Sequence, residues 1–116
     1  MGNDAKQLKT IIKYCDGIKN AINRFGDSER TFLNDFDYQY TCSFCIAQIG
    51  ETVKRLSQKI TEEHPEIPWS KIAGMRDLIA HEYGGINLNV VWVTIKERIP
   101  ELKDTCESIL EKLEKS

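Results

Sequence analysis

Apolar residues recur at intervals of three and four along almost the whole chain, and no stretch shows the alternation of two that marks a strand. Leu8, Ile11, Cys15, Ile18, Ile22 and Phe25 line one face of a first helix, with Asp4 placed to cap its start and Gly26 to end it. The stretch from Asp27 to Leu33 predicts a short capped turn of helix. A second long helix is predicted by Tyr38, Cys42, Cys45, Ile49, Val53, Leu56 and Ile60, which share one stripe. Its front half adds Phe44, Ile46 and Ala47, so more than one side there is expected to be covered, as a dimer contact would do. Pro65 and Pro68 make residues 62–68 a loop, because each removes a backbone donor and pushes its predecessor out of helix. A third helix should run from about Trp69 and fail at Gly84-Gly85. In the last segment Leu88, Trp92, Ile95, Ile99, Leu102, Cys106, Ile109 and Leu113 alternate spacings of four and three, straight through Pro100. That register predicts one kinked helix rather than two separate ones. The pattern as a whole predicts an all-α, up-and-down bundle of four to five helices, antiparallel because the links are short. At 116 residues the chain is expected to form a single domain, 1–116.

Composition narrows the function classes. No apolar run approaches the ~18 residues of a membrane span, and the start, MGNDAKQLKT, lacks the basic and apolar blocks of a secretory signal. The cytoplasm is therefore the expected location. The formal net charge is −2, unlike the basic stripe of a duplex-DNA binder. Any nucleic-acid chemistry must come from a local cluster of positive groups, assembled with or without a partner. Cys42-Ser-Phe-Cys45 has the spacing of half a zinc site or a redox pair. Zinc asks for about four ligands, and Cys15, Cys106, His64 and His81 supply no second motif. Both cysteines also fall on the apolar stripe, where a free thiol packs as a small hydrophobe. No metal and no cofactor are expected.

One residue does not fit its stripe. With Ile72 set at zero and about 100° per residue, Ile79 falls near −20°, Met75 near −60° and Tyr83 near 20°. Arg76 lands near 40°, within the apolar face, where a charge is costly unless paired or facing a wet cleft. Its stem can pack while its head finds a carboxylate at the rim. His81 falls near 180°, opposite Arg76. On one regular helix the two could not meet, so joint action needs an unwound helix end or two subunits. Asp77 lies four residues before His81 on the same face and could orient its imidazole. Alternatively, His81 is a helix-terminal histidine favoured by the dipole.

The stretch His64-Pro-Glu-Ile-Pro-Trp-Ser-Lys-Ile-Ala-Gly-Met-Arg-Asp-Leu-Ile-Ala-His-Glu-Tyr83 resembles the signature of HepT-type toxins, the minimal proteins of the HEPN superfamily. Ile49-Gly50-Glu51, Lys54-Arg55-Leu56-Ser57, Val91-Trp92 and Ile99-Pro100-Glu101-Leu102 extend the resemblance over nearly the whole chain in the family's order. Arg76-Asp77-x-x-x-His81-x-Tyr83 carries it most specifically.

The resemblance implies a homodimeric, metal-independent endoribonuclease with Arg76 and His81 as catalytic residues and Asp77 in support. It also implies a two-gene toxin–antitoxin pair. The antitoxin there, MntA, is a minimal nucleotidyltransferase that silences the toxin by adenylylating the motif tyrosine, which maps to Tyr83. The residues suit that chemistry. The 2′-hydroxyl attacks the phosphate while a base takes its proton, an acid protonates the leaving 5′-oxygen, and a cation stabilises the phosphorane. A two-fold dimer would bring two His81 and two Arg76 to one cleft. Lys54, Arg55 and Lys71 are candidates to line an RNA path on charge alone. Two other classes stand beside the nuclease. One is a non-catalytic nucleotide- or substrate-binding partner of a minimal nucleotidyltransferase. The other is a purely structural homodimerising bundle, which leaves Arg76 on its apolar stripe unexplained.

Overall fold

The computed structural model describes residues 3–82 and 87–115, and for 78 and 80–82 the backbone alone. Every described element is helical: α1 (Asn3–Phe25), α2 (Glu29–Leu33), α3 (Phe36–Val53), α4 (Gln58–Glu63), α5 (Trp69–Glu82), α6 (Leu88–Val93) and α7 (Ile99–Lys115), with a π turn, Thr94–Arg98, joining the last two. The all-α expectation holds. The principal packing is a row, α5 on α3, α3 on α1 and α1 on α7. The particle is correspondingly long, with principal extents of 46 × 27 × 21 Å. The Gly84-Gly85 stop and Tyr83 lie outside the described residues.

The stripe of α1 forms as its spacing requires: Leu8, Ile11, Cys15 and Ile18 are buried, while Ile22 and Phe25 pack at the edge of the core. Gly26 ends the helix with φ +123°, a conformation open to glycine and strained for other residues. Its carbonyl accepts from Tyr38 Oη at 2.9 Å, and Phe25 stacks on the Tyr38 ring. That ties the end of α1 to the first turn of α3. Ser28 and Asp35 cap α2 and α3 by accepting from Thr31 N and Tyr38 N.

Two expectations need correction. The long helix predicted across residues 38–60 is two helices, although its stripe survives intact with Leu56 and Ile60 both buried. The chain tightens after Val53, with Arg55 N and Leu56 N each bonding three residues back, to Thr52 O and Val53 O. Ser57 then caps α4 by accepting from Ile60 N. The second correction explains the first. Asp4 lies inside the first turn of α1, and its carboxylate accepts from Ser57 N at 2.9 Å and Ser57 Oγ at 2.7 Å. A carboxylate expected to cap its own helix therefore pins the start of another, where a continuing α3 would have used the Ser57 N–H itself.

The last segment runs on through Pro100, as its register predicts, but the deformation takes a specific form. Proline has no N–H, and its ring would press on the carbonyl four residues back. The turn before it widens, so that Ile99 N–H bonds Thr94 O, five residues back. Ile95, Ile99, Leu102, Cys106 and Ile109 are buried, with Val91 added and Leu113 left exposed beyond the end of the core. Trp92 packs half-buried against the rings of Phe32 and Tyr38.

The four cysteines are free and buried. Burial pushes the Cys42 and Cys106 thiols up to about 12, and those of Cys15 and Cys45 upward as well. These are packing groups. The extra face of α3 divides: Ile46 is buried, whereas Phe44 is 52% exposed. With Phe36 and Tyr40 it forms an uncovered aromatic stripe, 62% and 61% exposed at those two positions.

Candidate active site

Arg76 stands where α3 and α5 come closest. Helix α5 lays Ile72 into the core with Ala73, Met75 and Ile79 packed beside it, and Arg76 follows on the rim of that face. Opposite it on α3 is Gly50. A Cβ there would meet Ile72 O at 2.8 Å, Arg76 Cβ at 2.9 Å and Arg76 N at 3.2 Å. No side chain fits at residue 50 while the helices keep this spacing, so the glycine sets how deep the Arg76 backbone sits.

The guanidinium reaches back across α3 to carboxylates. Its Nε lies 3.1 Å from Glu51 Oε1, and Nη1 donates to Asp77 Oδ1 at 3.3 Å. Lys54 Nζ stands 3.5 Å from the same Asp77 oxygen and 3.9 Å from Glu51 Oε1, and Arg55 Nη2 is 3.9 Å from Glu51 Oε2. The side chain of Arg76 is 37% exposed, so its stem is packed and its head is wet. The arginine on the apolar stripe is therefore resolved by pairing at the rim. Lys54 foremost, helped by hydrogen bonds from Arg76 and Lys54, holds the exposed Asp77 carboxyl below its ordinary range.

Three cations (Arg76, Lys54, Arg55) and two anions (Glu51, Asp77) leave a local charge of +1 in a chain of net charge −2. It is a local group of cations with a slight excess of positive charge. Lys71 takes no part in it, being exposed and five residues before Arg76, about 140° round the helix.

The backbone of α5 stays helical through Glu82. Positions 76 and 81 are therefore also about 140° apart round one helix axis. The unwinding that could have brought them together does not occur up to that point. The side chain of His81, any contact it makes with Asp77, and Tyr83 lie outside the described residues. Glu51 received no role from the sequence. Its pairs with Lys54 and Arg55 are legible as spacings of three and four, but its pair with Arg76 spans two helices. Among the described residues, no group of three or more His, Cys, Asp and Glu side chains is placed to hold a metal ion. No described helix is long and apolar enough to cross a membrane.

Known proteins share this arrangement of sequence. A protein of Methanocaldococcus jannaschii, provisionally named an RNase, is 38% identical over 107 residues, covering 92% of this chain and 90% of its own. Another provisionally named RNase, from Caldanaerobacter subterraneus subsp. tengcongensis, is 48% identical over 105 residues, covering 90% of this chain and 92% of its own. The probable ribonuclease HepT of Thermococcus cleftensis is 36% identical over 101 residues, covering 83% and 92%. No solved structure shows a significant match. The model of the family described as ribonuclease HepT-like matches residues 11–109, taking in α3, α5 and the whole Arg76 cluster, and the chain belongs to that family.

Proposed function

We propose that this protein is the ribonuclease toxin of a HepT/MntA-type toxin–antitoxin pair, cutting RNA internally by attack of the 2′-hydroxyl. The observation that carries the reading is the Arg76 cluster: a half-exposed guanidinium, fixed on the rim of two packed helices, within a positive patch of an otherwise acidic chain. Arg76 binds the scissile phosphate and stabilises the dianionic phosphorane. His81 moves protons, one nitrogen taking the 2′-hydroxyl proton or a protonated ring supplying one to the leaving 5′-oxygen. The P–O5′ bond breaks as the P–O2′ bond forms, leaving a 2′,3′-cyclic phosphate and a free 5′-hydroxyl. No step in this route needs a metal.

An unbroken helix with residues 76 and 81 about 140° apart supports a site shared between two chains. In a homodimer, His81 of one chain would serve the phosphate held by Arg76 of the other, and the two histidines could divide the acid and base roles. The exposed aromatic stripe of α3 leaves apolar surface for such an assembly. Tyr83 is the site of silencing. An adenylyl group there adds bulk and negative charge beside the phosphate site, and both oppose RNA entry.

Cleavage of total RNA in EDTA by wild type, Arg76→Ala and His81→Ala tests the reading. Loss of either group should lower the rate at least ~10²-fold, the usual worth of a positioned acid–base group or of one phosphate-stabilising donor. No difference between wild type and His81→Ala would transfer the assignment to a nucleotide-binding partner subunit. Incubation with the cognate nucleotidyltransferase and ATP should add AMP units at Tyr83, seen by mass spectrometry.

A further inference from the structure

We propose that Glu51 is a positioning residue for Arg76, holding the guanidinium in the orientation that meets the scissile phosphate. The inference deepens the ribonuclease reading and rests on Arg76 as the phosphate-binding group.

Several observations converge on Glu51. Its Oε1 is 3.1 Å from Arg76 Nε, the shortest ion-pair distance in the cluster, a charge contact rather than an aligned hydrogen bond. The neighbouring Gly50 brings the α3 backbone so close that the Arg76 backbone and Cβ have no room to shift toward α3. Glu51 is itself paired with Lys54 and Arg55 in the turn that follows α3, both at 3.9 Å. The guanidinium is a rigid planar fork: Gly50 fixes where its stem leaves α5, the Glu51 charge draws its Nε end toward α3, and the Asp77 hydrogen bond holds Nη1. Asp77 takes one donor of Nη1, and among the described residues Nη2 has no partner. Nη2 is thus the donor left for a phosphate, on a side chain 37% exposed.

Stability gives little reason for the pair. Both side chains are more than a third exposed, and such surface pairs contribute little to folding. A carboxylate beside a phosphate-binding arginine also repels the substrate. Its removal should therefore ease binding, and any loss of activity must come from lost orientation. A misplacement of about 1 Å can cost a reaction ~10²-fold. The two roles thus predict opposite movements of KM and kcat.

The test compares wild type, Glu51→Ala and Glu51→Gln on a short single-stranded RNA, together with the NMR order parameter of the Arg76 Nε–H bond. Glu51→Ala should lower kcat about 10- to 100-fold without raising KM, and should release the Nε–H to fast local motion. Glu51→Gln keeps an oxygen at the same reach and should retain most of the rate and of the order. It should also keep the acid limb of the pH–rate profile.

Four results would overturn the proposal. One is an Nε–H as mobile in wild type as in Glu51→Ala. Another is a Glu51→Ala enzyme that cleaves as fast as wild type, which would make Glu51 a mere competitor for Arg76. The third is disappearance of the acid limb in Glu51→Gln, which would make Glu51 the general base. A kcat loss that merely follows a loss of folded protein, read by circular dichroism, also counts against it. The order parameter needs no substrate, so it judges the positioning of Arg76 even if the chain proves not to cut RNA. Failure of the parent reading shows separately, as cleavage that survives Arg76→Ala.

Discussion

Exchanging Gly50 for alanine adds one methyl group at the closest approach of α3 and α5. The new carbon would lie 2.8 Å from Ile72 O and 2.9 Å from Arg76 Cβ, against an ordinary separation of about 3.5–4.0 Å. Neither neighbour can turn away, since one is a main-chain carbonyl and the other is fixed to the backbone. The helices must part by roughly the deficit, about 0.7–1 Å. Overpacking of this kind costs about 1–3 kcal/mol, offset by the ~1 kcal/mol that alanine gains over glycine inside a helix. With rigid neighbours the upper part of the range applies, for a net loss of about 1–2 kcal/mol. Gly74 is the control. It also lies inside a helix, yet a Cβ there meets nothing within 4 Å. Gly74→Ala therefore keeps its helix gain of about 0.5–1 kcal/mol. The same substitution at two positions should move stability in opposite directions. For a domain of this size, at about 4 °C per kcal/mol, the two variants should melt roughly 8 °C apart. Thermal melts by circular dichroism at one protein concentration would read the difference, the fixed concentration guarding against any effect of association. A Gly50→Ala protein that melts at or above wild type would refute the reasoning, because the helices would then not be as close as Gly50 requires.

Three further outcomes follow from other contacts. Asp77 should titrate below its ordinary value of 3.8, so its contribution to stability is present above that pH and fades as pH falls through the depressed folded value. Lys54→Ala should move the Asp77 midpoint upward by carbon-detected NMR, and an unmoved midpoint would discredit the pairing. Buried thiols with raised pKa should resist a disulfide reagent at pH 8 in the native protein and react after unfolding in urea. Rapid labelling of the native chain would contradict that. Asp4→Ala removes two bonds to Ser57 and should cost about 1 kcal/mol in urea unfolding. An unchanged midpoint would mean that α4 does not need its tie to α1.

The period of the apolar residues was enough to determine the helical class, the burial stripes of α1 and α7, and the continuity of the last helix through Pro100. Burial of one face dominates the free energy of a helix, and that face is written as spacings of three and four. The same reasoning isolated Arg76, because a charge on an apolar stripe is an inconsistency visible without coordinates. The motif around Arg76, His81 and Tyr83 was equally a property of the sequence.

What remained was decided by contacts between residues far apart in the chain. Ser57 caps α4 locally, but the tie that holds that break is Asp4 reaching Ser57 across 53 positions. The π turn was visible only as a difficulty at Pro100, and packing determined how the backbone resolved it. Glu51 had no role in the sequence reading until the fold laid Arg76 against it. Gly50 marked no turn, and its role is the space it leaves for α5. Periodicity reports which face of a helix is buried, since that depends on each residue's own hydration. Which helix covers that face, and how closely, depends on the shapes of two surfaces that meet only after the chain has folded.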